Sequence, residues 1–197
     1  MEPQLISSQN HRFSAPRLWE ITKQMTYLFV SCWHRYLTTT RSYPVIRFIL
    51  EMILLAWFLK IVMTLPVSLM VLLIYGDPAV WQNPQQADFA LRPVANAILA
   101  LAVAPILETI IGQWAPIAAV RQWTQCQPLV LATATLFFAG LHLFSWDVTI
   151  FFATLPVGFV LAWSFLVWHR QSRTHAVGVT AVIHALHNAI ALLLMAW

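Results

Sequence analysis

Charge is what this chain has least of. Asp, Glu, Lys and Arg make up 9% of its 197 residues, against 60% hydrophobic residues and a mean hydropathy of +0.71. That balance excludes an ordinary soluble domain and describes an integral membrane protein. The length leaves room for one compact membrane unit and none for a separate soluble domain. Cysteine is nearly absent: Cys32 and Cys126 both fall near segment ends assigned to the inner side, which argues against a disulfide framework. The opening stretch MEPQLISSQNHR holds no continuous apolar core, so the first span is expected to serve as its own insertion signal. No internal repeat is visible, which argues against the inverted symmetry of secondary transporters. A His-Glu-x-x-His helix is lacking too. The formal charge of +4 is spread along the chain beside apolar runs, so it reads as a topology signal and not as a nucleic-acid footprint.

What is present is a series of long apolar runs. The first extends from Val45 to Tyr75, and as a helix it would measure about 46 Å against a hydrocarbon core of about 30 Å. If the span proper is Leu54 to Tyr75, Glu51 sits at the inner interface and Lys60 snorkels to it, so neither needs a functional role. Further runs cover Val94 to Val120, Pro128 to Ser145, Val148 to Trp168 and Ala176 to Trp197, separated by short polar or proline-containing breaks. The predicted fold is an all-α polytopic membrane helix bundle of about five transmembrane helices. An N-terminal amphipathic interfacial helix precedes it over about Pro16 to Leu37, with Leu18, Ile21, Met25, Leu28, Cys32 and Tyr36 at helical spacing. Residues 1–43 thus form a cytoplasmic or interfacial segment and 44–197 the bundle. Basic residues precede the first span (Arg12, Arg17, Lys23, Arg35, Arg41, Arg47), follow the second (Arg121) and follow the fourth (Arg170, Arg173), which predicts a multi-pass protein with a cytoplasmic N-terminus. Trp81 and Trp146 on the outer side, with Trp123 and Trp168 on the inner, fit interfacial belts.

Three of the apolar runs contain polar side chains that are expensive in hydrocarbon. Glu108 lies midway along the second, with Pro105 one turn before it and Gly112 one turn after, predicting a kink and a close helix contact around the acid. Taken alone, a protonated glutamate bonded to a neighbouring helix would explain it. Phe138 and His142 share one face of the third run, with Gly140 between them to admit another helix. His184 and Asn188 share a face of the last, and His187 lies to the other side of the His184 direction. The economical explanation is that the three runs pack together and these groups meet in one internal site. Depth is an obstacle, because counting residues puts His142 nearer the outer face than His184 by about two helical turns. Tilt or a shifted helix boundary has to close that gap.

Glu108 in a Pro-x-x-Glu context, FFAGLH as Phe-x-x-x-His and HALHN as His-x-x-x-Asn resemble, in order, the three motifs of the CPBP family. That family comprises the type II CaaX prenyl endopeptidases and their bacterial relatives, also called the ABI family, some of them linked to bacteriocin processing or self-immunity. The resemblance covers about residues 92–197. The family's first motif is usually Glu-Glu-x-x-x-Arg, whereas here Thr109 replaces the second Glu and Gln113 the Arg. The resemblance implies a membrane-embedded endopeptidase in which Glu108, helped by His142, activates water, while His184 and Asn188 form the oxyanion hole. Thr109, Gln113, Phe138 and His187 would support them. No cofactor is required by that mechanism; zinc held by Glu108, His142 and His184 is the alternative use of the same side chains. The implied partners are the lipid bilayer and a peptide or membrane-protein substrate. Two readings of other classes stay open: an inactive relative acting as a scaffold or bacteriocin immunity factor, for which Thr109 and Gln113 speak, and a proton-coupled carrier using the same groups as a relay.

Overall fold

The computed structural model describes residues 44–76, 92–145 and 148–195, together with Glu20, Lys23, Gln24, Tyr27 and Ser31. The chain divides into two units, Met1–Tyr43 and Pro44–Trp197. In the first, the five described residues are helical and exposed. The apolar positions predicted to line the interfacial helix lie outside the described residues, as do Trp81 and Trp146.

The second unit is built from α1 (Val45–Tyr75), α2 (Pro93–Val120), α3 (Gln127–Leu141), α4 (Val148–His169) and α5 (Arg173–Met195). Among the described residues, four helices are long and apolar enough to cross a membrane: Val45–Ile74, Pro93–Val120, Ile150–His169 and Arg173–Leu194. The five predicted spans therefore become four of full length and one short one. α3 has 15 residues, and the 3-10 turn His142–Ser145 at its end brings the rod to about 30 Å.

α4 is the centre of the bundle and packs against α1, α3 and α5. Its stretch from Val160 to Leu166 is buried almost all round, as befits a helix with no polar face. α1 meets it along Phe48, Ile49, Met52, Ile53 and Ala56, a helical stripe confined to its first half. Farther along, Leu65, Leu69, Leu73 and Ile74 are exposed, a surface suited to lipid. Ring contacts tie the helix ends at one side: Phe48 meets Trp168 edge-on at 5.5 Å, Trp168 stacks on His175 at 5.0 Å, and Arg121 Nη1 donates to His169 Nδ1 at 3.2 Å. The start of α1, the end of α2, the end of α4 and the start of α5 thus share one end of the bundle.

Phe138 is buried and closely packed. A Cβ on Gly112 would stand 2.8 Å from Phe138 Cδ2, and a Cβ on Gly158 would stand 2.9 Å from Phe138 Cδ1 and 3.2 Å from the Thr135 carbonyl. The ring is thus clasped between α2 and α4, each of which offers a glycine to it. Gly140, expected to admit a neighbour, meets nothing within 4 Å; its side of α3 is open, and the close approach falls on the face that carries Phe138. Because the ring is blocked on both sides, neither glycine tolerates a methyl group. Gly158→Ala is expected to destabilise the bundle by about 1–3 kcal/mol, measured as a lower midpoint of thermal unfolding in detergent.

Candidate active site

α2 is one rod made of five segments. Two π-helical turns, Leu99–Val103 and Ile110–Trp114, interrupt α-helical Pro93–Ile98, Ala104–Thr109 and Ala115–Val120. Each π turn is followed by Ala-Pro, at 104–105 and 115–116. Proline lacks an N–H and crowds the carbonyl of the preceding turn, and widening the helix by one residue relieves both. In the first π turn the Ala104 N–H bonds to Leu99 O. The next N–H in that register would serve Ala100 O, but it belongs to Pro105 and does not exist. Asn188 Nδ2 on α5 donates to Ala100 O instead, at 2.9 Å. Within a membrane bundle a neighbouring helix commonly supplies the partner for such a carbonyl.

Glu108 sits in the short α segment between the two π turns. Each extra residue rotates the remainder of the rod by about 100° relative to an unbroken helix, and the depth gap expected between His142 and His184 closes at the carboxylate, which both rings reach. Glu108 Oε2 lies 3.6 Å from His184 Nε2 and 3.9 Å from His142 Nε2, and the carboxylate side chain is 34% exposed. His142 Nδ1 donates to Phe138 O at 2.9 Å, so its neutral ring turns a lone pair on Nε2 toward the acid. His184 Nδ1 is buried without a hydrogen-bond partner; its proton therefore belongs on Nε2, facing Glu108. The Phe138 ring holds both imidazoles, with centroids 5.0 Å from His142 and 5.7 Å from His184.

These side chains open on a cavity of about 520 Å³ whose polar wall includes Glu108, His142, His184, His187 and Asn188. The structure thus gathers every predicted principal residue, with Phe138 and His187. Thr109 and Gln113 are the exceptions. Both are fully buried at 0% exposure, neither lines the cavity, and neither Thr109 Oγ1 nor either end of the Gln113 amide has a hydrogen-bond partner. On α2 they face the packed interior, where the residues supporting Glu108 in the motif had been expected. Sequence reasoning also passed over Asn96 and Trp57, whose ring stacks on His187 at 4.8 Å, and it read Lys60, a further lining residue, as interfacial. The available signal was Lys60 itself, at the centre of an apolar run. Among the described residues, no group of three His, Cys, Asp or Glu side chains is placed to hold a metal ion, and the zinc set Glu108, His142 and His184 does not qualify as one.

An apolar helical bundle with a carboxylate and two imidazoles on one internal cavity has the make-up of a membrane-embedded protein. Residues 90–190 match the family described as type II CAAX prenyl endopeptidase, Rce1-like, and the chain belongs to that family. It is accordingly a peptidase of the membrane, related to the CaaX proteases as its motifs suggested. The matched segment runs from just before α2 into α5 and leaves α1 outside. Comparison with curated proteins and with solved structures gives no match.

The contrast between satisfied and unsatisfied polar groups can be measured. Asn188→Leu, which orphans the Ala100 carbonyl, is expected to cost about 1–3 kcal/mol, whereas Thr109→Val and Gln113→Met remove buried groups that bond to nothing and should leave stability equal or higher. Thermal unfolding of the three variants in detergent checks both directions.

Proposed function

We propose that the protein hydrolyses peptide bonds of membrane-associated substrates with Glu108 as the base that activates water. One observation carries the reading: Glu108 Oε2 and His142 Nε2 face each other 3.9 Å apart at the cavity wall. With the His142 proton committed to Phe138 O, two acceptors confront one another at a separation too long for a direct hydrogen bond. A water molecule donating one hydrogen to each suits that gap. As the water oxygen attacks the scissile carbonyl carbon, Glu108 takes its proton and His142 holds the second. The carbonyl oxygen becomes an oxyanion, which the Nε2–H of His184 meets as a donor. Asn188 spends one amide hydrogen on Ala100 O and has the other for the oxyanion. Collapse of the tetrahedral intermediate expels the amine, and Glu108 returns the proton to it, so the enzyme ends as it began.

The sidedness follows from the end of the bundle that gathers Arg47, Arg121, Arg170 and Arg173; this end faces the cytoplasm, and the N-terminus with it. The exposed free thiol of Cys126 lies close to Arg121 in the connection to α3. In a Cys32→Ser protein, a membrane-impermeant maleimide is expected to label Cys126 in inside-out vesicles and not in intact cells; the reverse pattern would turn the topology over.

For the chemistry, Glu108→Gln keeps the shape and removes the base. Its turnover should fall by about 10² to 10⁴, and that of His184→Ala by about 10² to 10³. The assay compares new peptide termini in membranes carrying each variant at equal inserted level. Wild-type and Glu108→Gln membranes with identical termini would leave the inactive, scaffolding reading in its place.

A further inference from the structure

Where α2 stops and α4 passes into α5, a second cavity of about 230 Å³ shares no residue with the one that holds Glu108. α2 lines it with Trp114, Ile117, Ala118 and Arg121, whose spacing at i, i+3, i+4 and i+7 puts them on one face of the helix. His169, the last residue of α4, and Arg173, the first of α5, complete the lining. Glu108 lies thirteen residues before Arg121, about 19 Å along the rod, so the two cavities are separate places in the fold.

The polar part of this lining carries positive charge without a counter-charge. Arg121 Nη1 donates to His169 Nδ1 at 3.2 Å, a ring nitrogen that brings no negative charge, while Arg121 Nε is buried and bonds to nothing. Arg170, between α4 and α5, adds a like charge to the field at Arg121. Among the described residues, no carboxylate pairs with Arg121, Arg170 or Arg173: Glu51 at this end pairs with Arg47, and Glu108 faces its two imidazoles. A guanidinium with a buried, unbonded N–H and two further arginines beside it is short of an anion. Phosphate matches the planar fork of arginine and accepts several N–H groups at once.

The apolar part of the lining indicates what carries the phosphate. Trp114, Ile117 and Ala118 run from Arg121 back into the span, and farther along α2 Ile111 and Leu107 are half exposed, a surface on which acyl chains can lie. Trp123, two residues beyond Arg121, is 89% exposed, as suits a side chain at the level of lipid headgroups. A cavity of this size takes a headgroup and leaves the chains outside, along α2. With three arginines and no carboxylate, a net-negative headgroup is favoured over a zwitterionic one, whose own cation would meet like charge. We propose that Arg121 and Arg173 bind the phosphate headgroup of an anionic phospholipid whose acyl chains run along Trp114 and Ile117, tying the end of α2 to the start of α5. This site goes beyond the peptidase reading and stands without it.

The test uses the full-length protein in neutral detergent with dioleoyl phosphatidylglycerol as the probe, and dioleoyl phosphatidylcholine and inorganic phosphate as comparisons. Bound lipid is counted by native mass spectrometry, and stabilisation is followed by thermal unfolding. Wild type should hold phosphatidylglycerol at least about tenfold more tightly than phosphatidylcholine. Phosphatidylglycerol should raise the unfolding midpoint, and inorganic phosphate at the same concentration should leave it unchanged. Arg173→Gln, at an exposed position, should unfold like wild type without lipid and lose most of the preference. Arg121→Lys should weaken it as well, since an ammonium offers no fork. Arg92→Gln, which removes the same charge at the far end of α2, should keep it. Equal binding of the two lipids by wild type, or an equal loss in Arg92→Gln and Arg173→Gln, would overturn the site. Stabilisation by inorganic phosphate equal to that by phosphatidylglycerol would overturn the lipid as the carrier of the phosphate.

Discussion

Phe138 fills the space that two absent side chains leave. Because its ring sits where Gly112 of α2 and Gly158 of α4 have no Cβ, it sets how closely those helices approach α3. Gly112 lies one turn beyond Glu108 on the same side of α2, so the distance of that contact is also the distance at which the carboxylate is presented. The same ring touches the imidazoles of His142 and His184. Packing and site geometry are here one constraint: the acid can meet its two imidazoles only while the aromatic wedge is seated. In cores packed as densely as organic crystals, a displaced ring is felt by everything it touches.

The backbone of α2 imposes a second condition. Two Ala-Pro steps would break a straight α-helix, and π turns absorb them at the cost of carbonyls out of register. In hydrocarbon that cost has to be met from another helix, and Asn188 meets it at Ala100. The residue that answers a backbone defect thus also stands on the wall of the cavity, beside His184 and His187. Thr109 and Gln113 show the opposite outcome. They are polar and buried, one and five residues from Glu108, yet unbonded and away from the cavity, so polarity inside the bundle does not by itself mark the site.

The cavity joins helices of different provenance. α2, α3 and α5 bring the motif residues within the segment that defines the family, and α1 adds Lys60 and the Trp57 face against His187 from outside it. Glu108 and Lys60 thus reach one cavity from different helices, among walls that are largely aliphatic.

The membrane class, the helical fold and the apolar runs were legible in the chain alone, because few charges and long apolar stretches leave no other solvent for the surface. Glu108, Phe138, His142, His184 and Asn188 stood out for the same reason: each occupies an apolar run and, Phe138 apart, is polar where polarity is costly. Their spacing at four residues placed the pairs on shared faces. What periodicity could not supply is which helices are neighbours and how an irregular helix is phased. Counting at 3.6 residues per turn left His142 and His184 at different depths, since it carries no tilt or offset between α3 and α5. It foresaw a close contact at Gly112 but placed another at Gly140 and not at Gly158, left Thr109 and Gln113 beside the acid, and sent Lys60 to the interface. Those were decided by tertiary structure, because the direction of a side chain depends on every residue inserted before it and its environment on the helix that happens to lie opposite.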